Sequence, residues 1–183
     1  MAKPSSGHFS GTAGSKNSYK NQSRNIDRDA IILPRDLDLR EHPTKYKQMS
    51  SKKLKVLRQK EANRTLTKEE YKHKEWQRRL AVRRNKAIKD FWAIEQIRIL
   101  NNLPTTRNWS AEQRQAILMK QRPKYKGRSL ESHHTYSVAK YPHLSNRYEL
   151  VYPATHNEHL NGYHGGNYRN SLPGKPINNI KDF

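Results

Sequence analysis

Residues 130–138 read L-E-S-H-H-T-Y-S-V, and the reading of His133-His134 decides the fold assigned to everything around it. In an extended strand neighbouring side chains point to opposite faces. The two rings therefore share one cleft only if a bend intervenes, and they then do different jobs. Working outward, residues 130–138 have the composition of one strand and residues 148–152 that of another, with Pro142, Ser145 and Asn146 in the connection. After Pro153, residues 155–160 fit a short helix with Thr155 as N-cap, Glu158 three residues on and Gly162 as the stop. The order is strand, long loop, strand, short helix, with histidines on the first strand and again on the helix.

Charge separates this end from what precedes it. The chain of 183 residues has 37 Lys and Arg against 16 Asp and Glu, a formal charge of +21, and only 32% apolar residues. Residues 45–128 hold 25 of the basic groups and 7 of the acidic ones; residues 129–183 hold 5 and 4, with six of the nine histidines. A surface this basic repels itself unless a polyanion or an acidic protein neutralises it. With no cysteine, disulfides, thiolate metal sites and cysteine nucleophiles are excluded, so a metal must be held by His or carboxylate. No run approaches the roughly 18 apolar residues of a membrane span, and residues 1–7 lack the apolar segment of a signal peptide, which predicts a soluble chain.

The N-terminal 44 residues read as a loosely packed arm, Gly- and Ser-rich over residues 1–25; Ala30-Ile31-Ile32-Leu33 reads equally as a strand or as a staple onto the body. Residues 45–128 form a basic helical region. A helix is expected near residues 51–62, with Leu54, Val56 and Leu57 as its apolar side. Thr67-Lys68-Glu69-Glu70 is a capping box that opens a long helix to about Leu100, whose apolar stripe runs Trp76, Leu80, Ala87, Phe91, Ile94 and Ile97. A second capping box, Ser110-Ala111-Glu112-Gln113, opens a helix that closes before Pro123. Arg78, Arg79, Arg83 and Arg84 on the long helix, with Lys124, Lys126 and Arg128 leading into the histidine region, are either a solvated face or a track for nucleic-acid phosphates. The fold class is α+β.

Ser132-His133-His134, Asn146, Pro153-x-Thr155-x-x-Glu158-His159 and Gly162-x-His164-Gly165-Gly166 together resemble the HNH/endonuclease VII superfamily. More narrowly, they resemble the nuclease toxins with an SHH signature found at the C-termini of bacterial polymorphic toxins. The resemblance covers residues 129–183 and implies a ββα-metal finger and metal-dependent cleavage of DNA. It implies His134 as the base that takes a proton from water, with Asn146 holding its ring. His133 and His159, joined by His164, would bind one divalent ion, Mg2+, Zn2+ or another transition metal. His159 and His164 are five residues apart, about 500° on a regular α-helix, so His156 with His159 is the alternative pair. Glu131 reads as an exposed strand residue or as an acceptor orienting a ligand ring. His143 reads as a surface residue; His8, His42 and His73 receive no role.

The resemblance further implies a delivered effector acting in the target-cell cytoplasm, the C-terminal piece of a longer polypeptide, neutralised in its producer by an acidic immunity protein. Two other readings stand beside it. A non-enzymatic nucleic-acid-binding structural protein accounts for the charge but not for the ordered histidines, and an RNase toxin of the same fold differs only in substrate.

Overall fold

In the computed structural model the described residues are 37–183. The loosely packed segment expected over residues 1–25 and the strand or staple at Ala30–Leu33 lie outside them. Both capping boxes form. Thr67 Oγ1 accepts from the Glu70 amide while Glu70 accepts from the Thr67 amide, and α2 runs Lys68–Leu100 without a Pro or Gly to stop it. Ser110 and Gln113 do the same for α3, Ala111–Leu118. The first helix, α1, Ser51–Ala62, starts on Ser50, whose side chain accepts from the Lys53 amide. Each cap satisfies helix-end donors that would otherwise face water or go unpaired.

The stripe on α2 is close to the expected one. Leu80, Ala87, Phe91, Ile94 and Ile99 are buried, whereas Trp76 and Ile97 are only half-buried. Glu95 is fully buried among them. Its carboxylate is neutralised and saturated by Arg98 Nη1 at 2.6 Å, Trp109 Nε1 at 2.8 Å, and the amide and hydroxyl of Thr106. A buried carboxylate is tolerable only with such a set of donors. One end of α2 packs with Trp109, Ile117 and Leu130; the middle packs Ala87 and Phe91 on Val151. The described residues form one compact unit in which the basic helices and the histidine-rich end share a core.

Four short strands make two antiparallel hairpins. The first, unanticipated, pairs β1 Lys124–Tyr125 with β2 Arg128–Ser129 across a two-residue turn, Lys126-Gly127, in which both residues have positive φ (47° and 78°). The second pairs β3 Glu131–His134 with β4 Val151–Ala154. Both strands of this second hairpin are shorter than the sequence suggested. Tyr148–Leu150 is a 3₁₀ turn rather than strand, and Pro153 lies inside β4, opposite Ser132, its carbonyl accepting from Arg107. After β4 the chain does not stop at Gly162. A π-helix spans Glu158–Tyr163, and the reversal comes at Gly165 and Gly166, both at positive φ, where the Gly166 amide bonds back to the Leu160 carbonyl at 2.8 Å.

Candidate active site

The β3–β4 register sets His133 opposite Tyr152 and His134 opposite Val151. His134 is the last residue of its strand and a bend follows at Thr135, so both rings border one cleft of about 240 Å³ from different sides. They are 5% and 8% exposed. His159, His164, Arg84, Tyr168 and Arg169 are also part of its wall.

His133, His159 and His164 each offer a ring nitrogen within 4.8 Å of the others. The π-helix explains why five-residue spacing succeeds: its i→i+5 bond, His164 N–H to His159 carbonyl at 3.2 Å, stacks the two residues on one face. The second ring nitrogens of His159 and His164 are occupied. His159 Nδ1 donates to Glu131 Oε2, and His164 Nδ1 donates to the Asn170 carbonyl at 2.5 Å, which leaves the Nε2 lone pairs free. His156 donates from Nδ1 to the same Glu131 carboxylate at 2.8 Å and is not part of the group formed by His133, His159 and His164. Glu131 is thus an orienting acceptor rather than an idle strand residue. Burial pushes the His133 imidazole down to about 3, helped by the neighbouring histidines, and lowers His159 against the pull of Glu131. Neutral rings with free lone pairs are the form that binds a metal.

His134 differs. Neither of its nitrogens has a hydrogen-bond partner, although the ring is buried. Burial, then the charge of Arg84, holds it down at about 4; the Ser145 carbonyl faces it and pulls the other way without reaching hydrogen-bond geometry. Asn146 makes no hydrogen bond to this ring. Its Oδ1 accepts from Arg83 Nη2 at 2.8 Å, and the same nitrogen reaches the His143 carbonyl at 2.7 Å, which ties the connecting loop to α2.

The seven basic residues singled out in the sequence separate. Arg84 lines the cleft, with a buried Nε that has no partner. Arg83 braces the loop beside it, Arg79 is exposed, and Arg78 is paired with Glu75. Lys124, Lys126 and Arg128 lie on the β1–β2 hairpin; Lys126 and Arg128 border a different cavity with His156 and Asp182. Sequence reasoning missed Arg169 and Tyr168, which line the cleft, and Arg122, which does not line it but donates to Ser132 Oγ at 3.0 Å. It also missed Arg107, buried and bidentate on Glu158 at 2.5 and 2.8 Å. The Thr155-x-x-Glu158 capping box was the one available signal for that pair; nothing in the sequence marks Arg107.

Residues 74–155 match the family described as GHH signature containing HNH/Endo VII superfamily nuclease toxin. The match takes in most of α2 and the whole β3–β4 hairpin, starting earlier than residue 129 and ending four residues before His159. Its His-His pair, His133-His134, follows Ser132, where the name of the signature spells Gly. No curated protein and no solved structure matches the chain.

Proposed function

We propose, from the match of residues 74–155 to the HNH/Endo VII superfamily nuclease toxin family, that this chain is a metal-dependent DNase whose base is His134 and whose metal ligands are His133, His159 and His164. The observation that carries the reading is a buried, partnerless His134 on the same cleft as three converging imidazoles. Nucleases of this superfamily use a divalent metal. Three imidazole nitrogens without a carboxylate suit Zn2+, Ni2+ or Co2+ better than Mg2+, which prefers oxygen. The ion, when bound, stabilises negative charge on the phosphate and on the departing oxygen.

The chain's own residues do the rest. His134, kept neutral by burial and by Arg84, takes a proton from water as its oxygen bonds to phosphorus, and the bond to the departing sugar oxygen breaks. Arg84 holds a phosphate oxygen with a guanidinium whose buried Nε has no hydrogen-bond partner among the described residues. Arg83 and Asn146 keep the Ser145 loop against His134. Arg78, Arg79 and the Lys124–Arg128 hairpin extend the basic surface along the nucleic acid. DNA is favoured over RNA because nothing in the site calls for a 2′-hydroxyl. The toxin context fits a delivered effector of the polymorphic-toxin kind, and an acidic immunity protein is the complement to a region as basic as residues 45–128.

The test is nicking of supercoiled plasmid and, in parallel, cleavage of an RNA of similar length. Cleavage of the plasmid should require a divalent ion and vanish in His134→Ala, while metal affinity is retained. Cleavage that survives EDTA, or wild-type cleavage by His134→Ala, overturns the assignment, and cleavage of RNA alone makes the chain an RNase.

A further inference from the structure

Asp38 and His42 lie on one segment and His143 on another, 105 residues from Asp38 in sequence, and none belongs to the cleft just described. One nitrogen of each ring and one carboxylate oxygen lie within 4.8 Å of one another. His143 Nε2 donates to the Asp38 carbonyl at 2.7 Å. In the neutral ring the lone pair is therefore on Nδ1, and that atom is buried with no hydrogen-bond partner. This is how ligand histidines are usually held, one nitrogen fixed by a carbonyl and the other turned to the metal. His42 packs edge-on against His143 with ring centroids 4.3 Å apart, and its Nε2 lies 3.0 Å from Asp38 Oδ2.

We propose that Asp38, His42 and His143 form a second binding site for a divalent transition metal, separate from the nuclease centre, which clamps the segment at residues 38–42 onto the loop at residues 140–146. Two imidazoles and one carboxylate are a donor set that takes Zn2+, with a fourth position left for water. The seam is already stitched at neighbouring points: the His42 amide bonds to the Lys140 carbonyl at 2.9 Å, and Lys140 pairs with Glu41 at 3.0 Å. A metal there stiffens the loop that carries Ser145 and Asn146. Arg40 is the competitor. Its Nη2 reaches Asp38 Oδ2 at 2.8 Å and its Nε reaches Oδ1 at 2.8 Å, so an ion on Oδ2 must displace one arm of the fork and can leave the other in place.

Zn2+ titration of the full chain by calorimetry tests this. Two sites per chain are expected. His133→Ala/His159→Ala should leave one, whose binding still raises the melting temperature; adding His42→Ala or His143→Ala to that background should remove both the site and the stabilisation. His42 is exposed, so its variant should fold even if His143→Ala does not. Arg40→Gln should tighten the second site, because the competing guanidinium is gone. A single site in the wild type that His133→Ala/His159→Ala abolishes overturns the proposal, as does a second site that survives His42→Ala or is weakened by Arg40→Gln.

Discussion

Glu131 accepts from both His156 and His159, and the second bond fixes which nitrogen of His159 keeps its lone pair. Partners of this kind typically hold about 10–100-fold of metal affinity. Glu131→Ala should therefore weaken Zn2+ binding at the nuclease centre by about that factor with little change in fold, and Glu131→Gln, which still offers an oxygen to the ring, should recover much of it; calorimetric titration measures both. Arg84 acts on the other side of the cleft. Arg84→Met keeps most of the aliphatic stem and removes the charge, so it should slow cleavage at saturating metal while Zn2+ affinity stays unchanged, a separation read from single-turnover rates beside the titration. If Arg84→Met cleaves at the wild-type rate, the guanidinium is not engaged with substrate.

The π-helix, Glu158–Tyr163, brings His159 and His164, five residues apart, together beside His133, and its entry is held by charge buried away from water. Glu158 caps the Thr155 amide at 2.8 Å, accepts the Asp182 amide at 2.8 Å and takes both arms of Arg107, which also donates to the carbonyls of Pro153 and Phe183. The side chains of the pair are 1% and 3% exposed. Removing one partner strands the other charge, at a cost of about 3–5 kcal/mol. Arg107→Ala should lower the unfolding free energy in urea by that amount. It should also loosen the metal site, because the π-helix loses its anchor. Substitution of exposed Arg79 by Ala should do neither.

Across the whole molecule the sign of the charge is the dominant fact, with a net +21 concentrated on residues 45–128. Some of this is internal bracing: Lys60 pairs with Glu70, Lys74 with Glu61, and Arg78 with Glu75. With only 7 acidic groups in that region, most of its cations face solvent or a partner. Binding to a duplex with the metal withheld should weaken steeply as salt rises, the logarithm of affinity falling by about 0.9 per phosphate engaged for each decade of salt. A flat dependence, measured by fluorescence anisotropy from 50 to 300 mM salt, assigns the basic surface to another partner. Among the described residues no helix is long and apolar enough to cross a membrane.

The helices and the order of the histidines were legible in the sequence because they follow from local rules. A Thr or Ser followed three residues later by Glu or Gln caps a helix whatever lies around it, as at Thr67 and Ser110, and the adjacent His133 and His134 stood out by type, although only the family resemblance implied roles for them. What the sequence could not decide depends on groups distant in the chain. The sequence implied His159 with His164 and left His156 as an alternative partner; Glu131, 25 and 28 residues away, takes a nitrogen of His156 and of His159, and the helix is π rather than α. Asn146, expected at His134, is held instead by Arg83, 63 residues away on α2. His42 and His143 had no reason to be read together. Hydrogen bonds to a carboxylate, a guanidinium or a carbonyl are set by where the packed helices and hairpins deliver those groups, and no periodicity along the chain encodes that delivery.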